Sequence, residues 1–185
     1  MTFFEFVILI IVVLLFVLFL RKPRRKVWID PTNAQFADEY KAILLSDRAL
    51  TDRFDLAFVE KNNADIKIHL IPRHKMIELS GAHEKYDDGS PIYFSWTYQK
   101  PSPTIFIDEE NWTNGVPRSD LSVDNYRKYV AKHEFLHALG YDHQPCNDKV
   151  CPIMYQATRG PPTGKQCGFN ITDADWMSRI AGSFY

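Results

Sequence analysis

Apolar and polar residues split this chain into a head without a polar face and a body in which they alternate. Phe6–Leu20 contains no polar residue, and Phe3–Leu20 contains only Glu5. A helix that is apolar all round is suited to lipid or to a protein core. The 18 residues from Phe3 to Leu20 would span roughly 27 Å as a helix, which predicts a membrane span. A cleaved signal peptide would carry its basic residues before the apolar run and small residues at a cleavage site. Here the basic residues follow the run, and no such site is visible.

Beyond the head, periodicity predicts the elements of one folded domain. Residues 34–46 place Phe36, Tyr40, Ile43 and Leu44 at helical spacing. Phe54–Val59 reads as a short strand, and Asp65–Ile71 alternates Ile66, Ile68 and Leu70 with Lys67 and His69. Asp87–Pro91 is a turn, and Ile92–Tyr98 and Thr104–Ile107 are two further strands. A helix follows from Val123 to Leu139, with Ser122 as its N-cap and Gly140 at its end. Residues 145–168 read as loop, and Thr172 caps a closing helix from Asp173 to about Ala181. This order predicts an α+β fold with one mixed sheet.

Charge sharpens the division. The formal net charge is −1, yet Arg21, Lys22, Arg24, Arg25 and Lys26 all follow the apolar run, leaving residues 27–185 with 17 basic and 22 acidic side chains. An acidic body is unsuited to neutralising phosphates, so no nucleic-acid partner is expected. The predicted organisation is a span and basic linker over residues 1–26 and a single domain over 27–185. The positive-inside rule favours the cytosolic side for the basic residues and the domain after them. Two glycosylation tripeptides, Asn111-Trp112-Thr113 and Asn170-Ile171-Thr172, have meaning only on the opposite side. Cys146, Cys151 and Cys167 suit either compartment, as thiols or as one disulfide with one thiol left over.

The chemistry is concentrated on the second helix, which reads His133-Glu134-Phe135-Leu136-His137-Ala138-Leu139-Gly140-Tyr141-Asp142-His143. Residues four apart share a helix face, so His133 and His137 can present two imidazoles to one ion. Gly140 lets the helix stop and the chain turn, which brings His143 in from another direction. Three imidazoles leave the fourth position of a tetrahedral Zn²⁺ open, the form of a catalytic rather than a structural site. Such an ion lowers the pKa of its water and polarises a carbonyl. Glu134, next to His133, is the expected general base.

With these residues the chain resembles the metzincin zinc peptidases, whose signature is H-E-x-x-H-x-x-G-x-x-H followed by a Met-turn. Cys151-Pro152-Ile153-Met154-Tyr155 looks like that turn, with Met154 as its hydrophobic floor. Met followed by Tyr, the segment Ile171-Thr172-Asp173-Ala174-Asp175 and the strand Ala64–Ile68 are similar to the matrixin branch. The resemblance implies a sheet of about five strands backed by helices, with one catalytic Zn²⁺ in a cleft. It also implies that Ile92–Tyr98 is an antiparallel edge strand receiving an extended peptide or protein substrate. Residues 156–168 would wall the pocket beyond the scissile bond.

The chain departs from that pattern in places. No cysteine-switch segment stands between Lys26 and the domain, and His83, Asp87 and Asp88 are a thin remnant of the matrixins' structural metal motif. Gln156 stands where astacins and serralysins have a tyrosine that approaches the zinc, which leaves Tyr155 as the neighbouring phenol. The resulting expectation is a membrane-anchored zinc metalloendopeptidase. Its alternatives are an inactive membrane-anchored binding or structural protein of the same fold, and a hydrolase of some other amide.

Overall fold

The structure, a computed structural model, describes residues 3–20, 22–80 and 95–177, and within the first helix the side chains of 4–12. His83, the turn at Asp87–Pro91, the first residues of the strand expected at Ile92–Tyr98 and the closing helix beyond Met177 lie outside the described residues.

Helix α1 is Phe3–Leu20. Its described side chains are apolar apart from Glu5 and mostly exposed, with Phe4 and Leu9 among them. They cover about half of the ~20 residues that a bilayer crossing takes. Among the described residues no helix is long and apolar enough to cross a membrane.

The domain starts earlier than the charge pattern suggests. Arg24, Arg25 and Lys26, expected in a linker, belong to strand β1 (Arg24–Ile29). A backbone ladder is indifferent to side-chain charge, and β1 pairs in parallel with β2 (Asp55–Phe58) through Arg24↔Asp55 and Arg25↔Leu56. The charges find partners at the strand's outer end. Arg24 lies 3.6 Å from the Asp55 carboxylate, and the Arg25 guanidinium sits 5.7 Å from the Phe54 ring centre.

Between β1 and β2 run α2 (Ala34–Ser46) and the single turn α3 (Arg48–Thr51). Asn33 caps α2 by accepting from Phe36 N at 3.0 Å, and Asp47 caps α3 by accepting from Leu50 N at 3.2 Å. Then follow β3 (Ile66–Ile71), α4 (Arg73–Ser80), β4 (Trp96–Tyr98), β5 (Thr104–Asp108) and α5 (Glu109–Asn114). The long helix α6 (Val123–Ala138) and the short α7 (Asp173–Trp176) close the order. The five strands form one sheet in the order β2-β1-β3-β5-β4. All neighbours are parallel except β4, which pairs antiparallel with β5 at the edge. The fold is α+β.

Alternation decides which face of the sheet is covered. Val27, Ile66, Ile68, Ile105 and Ile107 are buried beneath the helices. Each such side chain contributes about 1.5–3 kcal/mol through loss of contact with water. On the other face Trp28, His69, Phe106 and Tyr98 form a row of ring contacts across four strands, with centroids 5.0, 5.4 and 6.1 Å apart. On the covered face α2 buries Phe36, Tyr40 and Leu44, one per turn. Tyr40 donates its hydroxyl to the Ala131 carbonyl at 2.9 Å, which ties α2 to α6. A buried ion pair repeats that link, with Lys132 Nζ 2.7 Å from Asp47 Oδ2 and also donating to the Phe169 carbonyl. Helix α6 is therefore fixed from several sides, and most of its residues are buried.

Candidate metal centre

Three histidines meet at the C-terminal end of α6. His133 and His137 stand one turn apart on the helix, as the spacing predicts. The helix ends in a Schellman turn: Tyr141 N donates to the Leu136 carbonyl at 3.0 Å and Gly140 N to the His137 carbonyl at 2.9 Å. Gly140 holds φ at +86°, a conformation that a side chain opposes. The chain reverses there and brings His143 back, so that one ring nitrogen from each histidine falls within 4.8 Å of the others.

The second ring nitrogens settle which atoms converge. His133 Nδ1 lies 2.7 Å from the Ile153 carbonyl, and His137 Nδ1 lies 2.8 Å from the Tyr141 carbonyl. A carbonyl only accepts, so each Nδ1 carries the proton and each Nε2 of the neutral ring is a bare acceptor. Those Nε2 atoms are 3.1 Å apart, and His137 Nε2 is also 3.1 Å from His143 Nε2. Two lone pairs at that separation repel unless a cation lies between them. Nitrogens bound tetrahedrally to Zn²⁺ at 2.0–2.1 Å would stand about 3.3 Å apart, close to the spacing seen here. The donor set and its spacing fit zinc.

Burial prepares the rings for this role. It pushes the His133 pKa well below its usual range, with the nearby His137 charge acting in the same direction. His137 is lowered to about 4, by burial and then by His143, and partial desolvation also lowers the more exposed His143. Neutral rings are the ligand form, so little proton competition opposes metal at neutral pH.

The residues expected as a Met-turn hold two of the three histidines. Ile153 supplies the carbonyl that orients His133, and the Met154 carbonyl accepts from Gln144 N, next to His143, at 3.0 Å. The turn is itself pinned by Asp175, fully buried at the start of α7, which accepts from Met154 N at 2.8 Å. Met154 is fully buried. Tyr155 directs its hydroxyl to the Gly160 carbonyl at 3.0 Å, so this phenol is already engaged within its own loop.

Glu134 lines the same cleft, a cavity of about 310 Å³ between α6, β4 and residues 156–158. Burial raises its carboxyl pKa to about 7, against the opposing effect of a hydrogen bond from Thr97. A carboxyl that exchanges its proton near neutrality is suited to general acid–base work.

Some contributors to the site are not visible in the motif. Thr97 of β4 bonds Glu134 and Gln99 donates to the His137 carbonyl, although both lie more than 30 positions earlier in the chain. Their signal is the alternation Ser95-Trp96-Thr97-Tyr98-Gln99, in which the polar set, rather than the aromatic one, faces the helix. Cys146 and Cys151 form a disulfide beside the turn at Ile153–Met154, while Cys167 is a buried free thiol. Asn111 is buried and its side chain accepts from Arg73 at 2.6 Å, so its tripeptide offers no glycosylation site in the fold, whereas Asn170 is exposed.

A family model described as "Protein of unknown function (DUF3152)" matches residues 29–179, most of the chain. Among curated proteins none matches it.

Proposed function

We propose, for a chain that belongs to the DUF3152 family of proteins of unknown function, a membrane-anchored zinc-dependent endopeptidase with a metzincin-like site. One observation carries this reading. The Nε2 atom of His137 faces those of His133 and His143 at 3.1 Å each, with the proton of His133 and of His137 on Nδ1, beside a buried carboxyl group. A structural zinc site would be closed by a fourth protein ligand. Among the described residues the cluster that could hold an ion has three members.

His133, His137 and His143 would hold the metal, and their carbonyl partners keep the rings oriented. Bound zinc supplies Lewis acidity, lowering the pKa of water towards about 7 and polarising a carbonyl. Glu134 takes a proton from the attacking water and returns it to the departing amine. In the metal-free fold burial raises its pKa to about 7, which suits a group that both takes and returns a proton. An extended peptide would add along the outer edge of β4, unpaired among the described strands, by backbone hydrogen bonds, and its side chains would enter the cleft between α6 and residues 156–158. Helix α1 would tether this cleft to a bilayer.

The test uses the full chain in detergent micelles, with zinc content and cleavage of a peptide library measured together. Wild type should hold one zinc per chain and cleave internal peptide bonds. Glu134→Gln should keep the zinc and lose at least about 100-fold in kcat, as expected for a general base. Zinc without cleavage in the wild type would instead indicate a binding protein, and cleavage of small amides alone would indicate another amidohydrolase. Absence of zinc would remove all three readings.

A further inference from the structure

We propose that Thr97 is a positioning residue that fixes the carboxylate of Glu134, so that the strand offered to substrate also sets the base. This inference rests on the reading of Glu134 as the base. The register of β4 places Thr97 opposite Ile105, whose side chain is buried beneath the helices, so Thr97 points towards α6. That inward position on an edge strand over a helix would ordinarily be apolar. Here Ser95, Thr97 and Gln99 are all polar, and two of them bond α6 at the metal-binding turn.

Thr97 Oγ1 lies 2.5 Å from Glu134 Oε2 and 3.2 Å from the Glu134 carbonyl oxygen. A hydroxyl has one proton to donate, and the carboxylate is both nearer and the stronger acceptor. Among the described residues Thr97 is the hydrogen-bond partner of this carboxylate. One oxygen is thus held by the strand, and the other is left for the reacting water. A free glutamate side chain samples many rotamers, and ordering it costs conformational entropy. The Thr97 bond accomplishes that ordering before substrate arrives. Because β4 is also the outer strand of the sheet among the described residues, a peptide added to it and the Glu134 carboxylate would share one rigid reference, which favours reactive alignment.

The experiment compares wild type, Thr97→Val and Thr97→Ser, each as the zinc-loaded full chain in micelles. Val removes the hydroxyl at nearly constant shape, and Ser restores it. The Val variant should lose about 10- to 100-fold in kcat with KM changed less than about twofold. The Ser variant should stay within about threefold of wild type. Infrared difference spectra against Glu134→Gln, recorded above pH 9, should show the Glu134 carboxylate band shifted in the Val variant and unshifted in the Ser variant. An unshifted band in Thr97→Val, an unchanged kcat, or a change confined to KM overturns the proposal. If the wild type holds zinc and cleaves nothing while the Val band still shifts, the peptidase reading fails and the Thr97 contact stands.

Discussion

At the scale of single residues, the site's character comes from placing groups that want water where water is scarce. His133, Glu134 and His137 are all substantially buried, but burial acts on them in opposite directions because only the neutral form of each is tolerated. This has a measurable consequence for the metal-free fold. His137 titrates near 4 in the fold against an ordinary 6.5, so between those values the unfolded chain binds the additional proton and stability rises with pH. His133 and His143 are lowered too and act in the same direction. Glu134 opposes them: its pKa is raised from 4.5 to about 7, so the folded chain holds the additional proton in that range and stability falls as pH rises. Three rings outweigh one carboxyl. The thermal midpoint of the metal-free chain should therefore rise between pH 4.5 and 6.5, and rise more steeply in Glu134→Gln. A midpoint that falls across this window, or an identical slope in the variant, would contradict this assignment of buried charge.

At the scale of elements, legibility in the sequence followed periodicity. Helix α2 announced itself through Phe36, Tyr40 and Leu44, and β3 through Ile66 and Ile68, because each presents one face to a single core. Strand β1 was hidden since its first three residues are basic, and they enter the sheet through backbone pairing alone. The histidine cluster was legible because helix period and one glycine turn place all three histidines within eleven residues. Thr97 was not, because its meeting with Glu134 depends on how β4 docks on α6. The lock between α2 and α6 was equally invisible, since Asp47 and Lys132 are 85 positions apart. That lock should matter. Asp47→Ala removes the α3 cap and leaves Lys132, 6% exposed in its side chain, as an uncompensated buried charge. Breaking a buried pair in this way costs about 3–5 kcal/mol. Chemical denaturation should show a loss of that order, whereas Asp38→Ala, on the exposed side of the neighbouring helix α2, should change stability by less than about 0.5 kcal/mol.

At the scale of the whole molecule, the proposed anchor raises the question of which side of a membrane the domain would act on, and two features point in opposite directions. The basic run after α1 favours the cytosol by the positive-inside rule. Several of these residues, however, have partners in the fold. Lys22 donates to the Thr51 carbonyl at 2.7 Å, Arg24 pairs with Asp55, and Arg25 lies over Phe54. Their presence is thus accounted for by the domain as well as by topology. The Cys146–Cys151 disulfide favours an oxidising compartment, where such bonds persist. The two cysteines bracket the loop into the Met-turn, whose Ile153 carbonyl orients His133. An intact disulfide would then support zinc binding as well as stability. The expected outcome is that externally added protease digests the domain in sealed, right-side-out membranes. Alkylation of unreduced, denatured protein from those membranes should label Cys167 and spare Cys146 and Cys151. Reduction should weaken zinc retention through the loosened turn. Protection from protease together with labelling of all three cysteines would place the domain in the cytosol with its cysteines reduced.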